Sequence, residues 1–112
     1  MDYENLAVQL IVYSGNARSQ AMSAITEAKN GDLTKAWDLI RQSEEAMTEA
    51  HNFQTEALQA SLEHPEHGIN MLMAHAQDHL MNALTIQALA REFLALYEKL
   101  DVSMNEERGE QS

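Results

Sequence analysis

The chain has 112 residues, room for one domain and only a modest core, so help from self-association is expected. Eighteen acidic side chains stand against seven basic ones, a formal net charge of −11, which argues against nucleic acid and anionic membranes as partners and favours a protein with a basic face. There is no cysteine, hence no disulfide and no thiol nucleophile; the start MDYENLAVQL lacks the basic and apolar regions of a signal peptide, and no apolar run reaches the roughly 18 residues of a membrane span, so a cytoplasmic location is expected.

Breakers at Gly31, at Pro65 to Gly68 and at Gly109 divide the chain into three segments of helical period and a tail. In the first, Ala7, Leu10, Ser14, Ala17, Ala21, Ala24 and Ala28 recur at steps of three and four. Gly31 suits the left-handed position after a helix and Asp32 the N-cap of the next, and so short a joint implies an antiparallel pair. Gly15 interrupts this first segment at a cost of about 1 kcal/mol relative to alanine. A tight helix crossing would explain it, and so would close approach of a partner.

The second segment carries Leu33, Ala36, Ile40, Ser43, Met47, Ala50, Gln54, Ala57 and Ser61 on one face and stops at EHPEHG, where the residue before Pro65 is pushed out of helical geometry. His64 and His67 read as ordinary loop residues. The third segment, from about Ile69 to about Leu100, shows the seam Leu72, Ala76, His79, Ala83, Ile86, Ala90, Phe93, Tyr97 and Leu100. The expected architecture is all-α, an antiparallel up-down-up bundle of three helices over residues 1–101, each roughly 40 Å long. The polar residues 102–112 read as a flexible C-terminal tail.

From Ile69 to Ala90, 14 of 22 residues are apolar and Asp78 alone is formally charged. A second seam, Met71, His75, Asp78, Asn82, Thr85 and Leu89, runs beside the first. Two helices of one chain can cover one seam; the other calls for copies of this helix packed in parallel, a coiled-coil-like core of several subunits with cyclic symmetry. Periodicity does not choose between dimer, trimer and tetramer. On such an axis Asp78 converges with its symmetry mates, and each like-charge pair at about 4 Å costs roughly 1 to 4 kcal/mol at effective dielectrics of 80 to 20. A hard divalent cation or protonation would relieve it.

His75 stands one turn from both Asp78 and His79. Its imidazole is a nucleophile able to carry a phosphoryl group, and its neighbours could orient the ring. His79 lies on the first seam, which points it toward the core. A zinc site is the chemical rival, since H-x-x-D-H offers three ligands, although three ligands within five residues do not easily face one ion on a regular helix. A helical oligomerisation or adaptor protein is the other alternative. His51, in TEAHNFQTEA, falls near the level of His75 if the helices run antiparallel, or is simply a partly exposed histidine. The methionines read as packing, with Met71, Met73 and Met81 also able to form an adaptable rim.

HAQDHLMNA, residues 75–83, resembles the active-site signature of the lactose/cellobiose (diacetylchitobiose) family of enzyme IIA components of the bacterial phosphoenolpyruvate-dependent sugar phosphotransferase system. VYSGNARSQAMSAITEAKNGD, residues 12–32, and EAHNFQTE, residues 49–56, are similar to two further blocks of that family in the same order. The resemblance implies a homotrimer that takes a phosphoryl group from the phosphocarrier protein HPr on His75, through Nε2, and gives it to a cysteine of a IIB protein or domain, serving the IIC permease indirectly in uptake of a β-linked disaccharide. It implies that Gln77 and His79 support the site, and that three copies of Asp78 meet around a metal, Mg2+ or another divalent cation, on the axis. The turn LEHPEHGIN lacks the lysines common in relatives, a departure that bears on partner docking.

Overall fold

The computed structural model describes residues 2–68 and 70–111, with the side chains of positions 67, 108, 110 and 111 outside that description. Helix α1 spans Tyr3–Lys29, α2 spans Leu33–Glu63, a 3-10 turn follows at Pro65–His67, and α3 spans Met71–Gln111; the described residues contain no strand. Local chemistry starts each helix. Asp2 accepts from the Asn5 N–H at 2.8 Å, Asp32 from the Lys35 N–H at 3.0 Å, and the Asn70 side chain from the Met73 N–H at 3.1 Å, each satisfying a first-turn donor that has no partner inside the helix. Gly31, at φ 93°, takes the left-handed turn between α1 and α2. The expected start of the third helix at Ile69 falls outside the described residues.

All seven positions of the first seam are buried. On α2, Ala36, Ile40, Ser43, Met47, Ala50 and Ala57 are buried, while Leu33, Gln54 and Ser61 are half-buried at its edges. The third seam requires a correction. Ala76, Ala83 and Ala90 are buried as expected, but the large residues between them are Met73, Leu80 and Leu94, with Gln87; Phe93 and Leu100 are exposed, and His79 and Ile86 half-buried. Gln87 is a polar member of the buried seam. Its amide donates to Ser43 Oγ at 2.8 Å, and that hydroxyl donates to the Ala17 carbonyl at 2.7 Å, so a hydrogen-bonded network links the three helices in the core.

The helix also continues past Leu100 to Gln111. No proline intervenes, and Glu106 and Glu107 are good helix formers. The side chains described from Asp101 onward are exposed, and the extension helps to make the molecule a rod of 71 × 18 × 17 Å. Along α3 the row Gln77, Leu84, Arg91 and Glu98 faces α2: Gln77 accepts from Gln54, Arg91 donates to Glu44, and Glu98 accepts from Trp37. Leu84 packs on the core between them. The opposite flank, with His79 and Ile86, lies toward α1. No helix among the described residues is long and apolar enough to cross a membrane.

Candidate functional site

His75 and His79 come one above the other because α3 is regular there and positions four apart share a face. Their Nε2 atoms are 3.1 Å apart, and the rings meet edge to face, centroids 4.6 Å apart at 88°. Two neutral imidazoles make this hydrogen bond only if one Nε2 donates and the other accepts. His75 is exposed and His79 half-buried. The rotation of the third seam therefore turns His79 out of the core and gives it to His75, which corrects its expected inward placement.

Asp78 is exposed and makes no hydrogen bond or ion pair among the described residues. The pairing with His75 that its spacing allows is not formed. No three His, Cys, Asp or Glu side chains among the described residues are grouped to hold a metal ion, so H-x-x-D-H does not close on one ion within the chain. What the chain offers a metal is a single hard oxygen donor on the outward stripe, a set that suits magnesium or calcium only if other copies add to it.

Gln77 points the other way. It accepts from Gln54 Nε2 at 2.9 Å and donates to Met73 Sδ at 3.8 Å, while Gln54 Oε1 stands 3.3 Å from His51 Nδ1. Within one chain Gln77 and the histidine pair occupy opposite edges of α3. The link between His51, Gln54 and Gln77 was not visible as such in the sequence, although two of its members lie in the EAHNFQTE block. His64 bonds locally to Glu66 at 3.0 Å, as a loop residue would. The side chain of His67 lies outside those described.

Neither histidine lines the hollow of about 550 Å³ that lies farther along α3 between Ala95 and Glu106. A reactive imidazole on an open surface suits a group handed between proteins better than a substrate enclosed by one chain. On the far face of the helix from the core, Met71, His75, Asp78, Asn82, Thr85 and Leu89 are all exposed, continued by Phe93, Leu96 and Leu100.

A family model described as the PTS system, lactose/cellobiose specific IIA subunit, matches residues 5–98. The chain is 41% identical over 108 residues to the lichenan-specific phosphotransferase enzyme IIA component of Bacillus subtilis, covering 96% of this chain and 94% of the relative. The crystal structure of the PTS cellobiose specific enzyme IIA from Bacillus anthracis superimposes with a TM-score of 0.85 at 46% identity, covering 91% of this chain and 94% of that one. A chain from the solution structures of the IIA(Chitobiose)–HPr complex of Escherichia coli does so with a TM-score of 0.79 at 35% identity, over 90% and 98% of the two chains. With the match running through all three helices, the chain belongs to the lactose/cellobiose-specific IIA family and is a phosphoryl-transfer component of a sugar phosphotransferase system.

Proposed function

We propose that the chain is a cytoplasmic carrier that takes a phosphoryl group from phospho-HPr on His75 Nε2 and passes it to a IIB cysteine. The observation carrying this is the exposed His75 ring held edge-on by His79 at 3.1 Å between Nε2 atoms. For His75 Nε2 to attack, it must hold the lone pair, so His79 Nε2 donates the shared proton and His75 carries its own on Nδ1. The Nε2–P bond forms as the N–P bond of the donor breaks, its electron pair returning to the donor ring. The His79 N–H, no longer needed by the His75 lone pair, turns to a phosphoryl oxygen and stabilises its charge. In the onward step the IIB sulfur takes the phosphorus and the Nε2–P pair returns to His75. Two added negative charges on a chain of net charge −11 favour that departure.

The working form in this reading is a homotrimer whose α3 helices pack in parallel along the outward stripe. The apolar surface at Leu89, Phe93, Leu96 and Leu100, 44–53% exposed in one chain, supports it. Three Asp78 side chains would hold Mg2+ or another divalent cation on the axis, where it neutralises their repulsion and joins the helices. His75 acts as the nucleophile without it. The HPr partner is supported by the complex containing the E. coli relative, and a β-linked disaccharide class by relatives named for lichenan, cellobiose and diacetylchitobiose. The IIC permease would select among such sugars. Incubation with phosphoenolpyruvate, enzyme I and HPr should add one phosphoryl group per chain in the intact mass, and fragmentation should place it on His75; label on His79 or His51 alone would overturn the assignment.

A further inference from the structure

Asn30 and Gly31 form the only Asn–Gly pair in the sequence, and both lie exposed in the joint between α1 and α2. Such a pair carries chemistry of its own. The side-chain carbonyl carbon of an asparagine can be attacked by the backbone nitrogen of the next residue, and a following glycine, with no Cβ, hinders that approach least. The nitrogen gives up its proton as the new C–N bond forms; the bond to the side-chain amide nitrogen breaks, and ammonia departs with that proton. Water opens the resulting cyclic imide at either carbonyl, giving aspartate or, with the side-chain methylene drawn into the main chain, isoaspartate.

The joint holds the pair away from this reaction. Asn30 has ψ 3°, which places the Gly31 nitrogen over Asn30's own nitrogen, about 120° from Cβ around the Cα–C bond, whereas ring closure needs it nearly eclipsed with Cβ. The attacking nitrogen is also engaged. Its N–H donates to the Ala28 carbonyl at 3.1 Å, while the Asp32 N–H donates to the Glu27 carbonyl at 2.9 Å, the two bonds by which a glycine at positive φ closes a helix. Asp32 then caps α2 by accepting from the Lys35 N–H at 3.0 Å. Closing one helix and capping the next thus share one short segment, and loosening it at either end frees the rotation about ψ of Asn30.

We infer that Asn30 is a site of spontaneous deamidation gated by the α1–α2 joint: the closed joint withholds the Gly31 nitrogen, and each opening offers it to the Asn30 side chain. The product weakens the joint that delayed it. Either acid puts a negative charge at the C-terminus of α1, the end where a helix already carries partial negative charge, and isoaspartate lengthens the backbone of a turn whose span is fixed by its hydrogen bonds. Deamidated chains therefore lose stability and open more readily.

Ageing the whole protein in mildly alkaline buffer at growth temperature, with peptide mapping of the acid produced, tests the gate. Asn30 should be the residue converted, and its conversion in the folded protein should run at least about tenfold slower than in the same chain in urea, because only the open fraction reacts. Asp32→Ala removes the cap of α2 and leaves the Asn–Gly pair untouched; it should speed conversion of the folded protein about 2- to 30-fold and leave the rate in urea unchanged. Aged protein should melt at a lower temperature than fresh protein, and the Asn30→Gln variant should age without that loss. Equal rates in the folded protein and in urea would show that the joint gives no protection, an unmoved rate in Asp32→Ala would detach the reaction from opening of the joint, and conversion led by another asparagine would remove the site. Any one of these overturns the inference.

Discussion

The two halves of the outward stripe of α3 differ in chemistry. Its N-terminal half presents His75, Asp78, Asn82 and Thr85, its C-terminal half Leu89, Phe93, Leu96 and Leu100, all of them exposed in the single chain. Apolar surface gives association its free energy, whereas a ring of carboxylates opposes it. In the proposed trimer the halves would divide the labour: the C-terminal one would hold chains together, and the N-terminal one would keep a polar, accessible site that packing alone would seal.

The largest effect should come from the N-terminal half. His75→Gln removes the proposed nucleophile while preserving polarity, and phosphate uptake from HPr should vanish within detection by intact mass. Assembly should be unaffected, as measured by sedimentation equilibrium; residual labelling at the native rate would move the nucleophile elsewhere.

The C-terminal half answers to the opposite change. Leu96→Asp combined with Phe93→Asp costs the single chain little, since both side chains are already exposed. In an assembly each would bury a like charge beside its symmetry mates. The doubly substituted protein should sediment as a helical monomer, and persistence of the oligomer would place the interface on another face.

Between these sits Asp78→Leu, which extends the apolar character into the polar half. Relief of repulsion, roughly 1 to 4 kcal/mol for each like-charge pair, should raise the thermal midpoint. The sign for metal follows: chelation should lower the midpoint of the unaltered protein and leave that of the leucine variant unmoved. An unaltered protein whose midpoint and assembly do not respond to chelation would sink the structural role proposed for the cation.

Sequence and structure agree most closely where alanines mark the core. All seven positions of the first seam are buried, with Leu6 added to them. On α3 the same small residues also fit the seam that is buried, with Met73, Leu80, Gln87 and Leu94, and Gln87 suits the core only through Ser43 and Ala17 of two other helices. Pairings over such separations leave no periodic trace. The site divides likewise. His75 and His79 are neighbours by helix geometry and could be read from spacing, but the tie from His51 through Gln54 to Gln77 joins two helices. Only the folded chain brings its ends to one level.

The smallest effect concerns Gly15, which sits in the middle of α1. A Cβ built there meets no atom within 4 Å, so no tight crossing inside the chain demands glycine. By helix propensity alone, Gly15→Ala should stabilise the fold by up to about 1 kcal/mol, measured by urea denaturation. The chain forgoes that gain at an open position of α1. If the open space serves close approach by HPr, by IIB or by a neighbouring chain, the same methyl group should slow phosphoryl transfer several-fold even as it strengthens the helix. Opposite signs for stability and transfer would mark Gly15 as a docking position; a stabilised variant with unchanged rates would show that the space is merely tolerated.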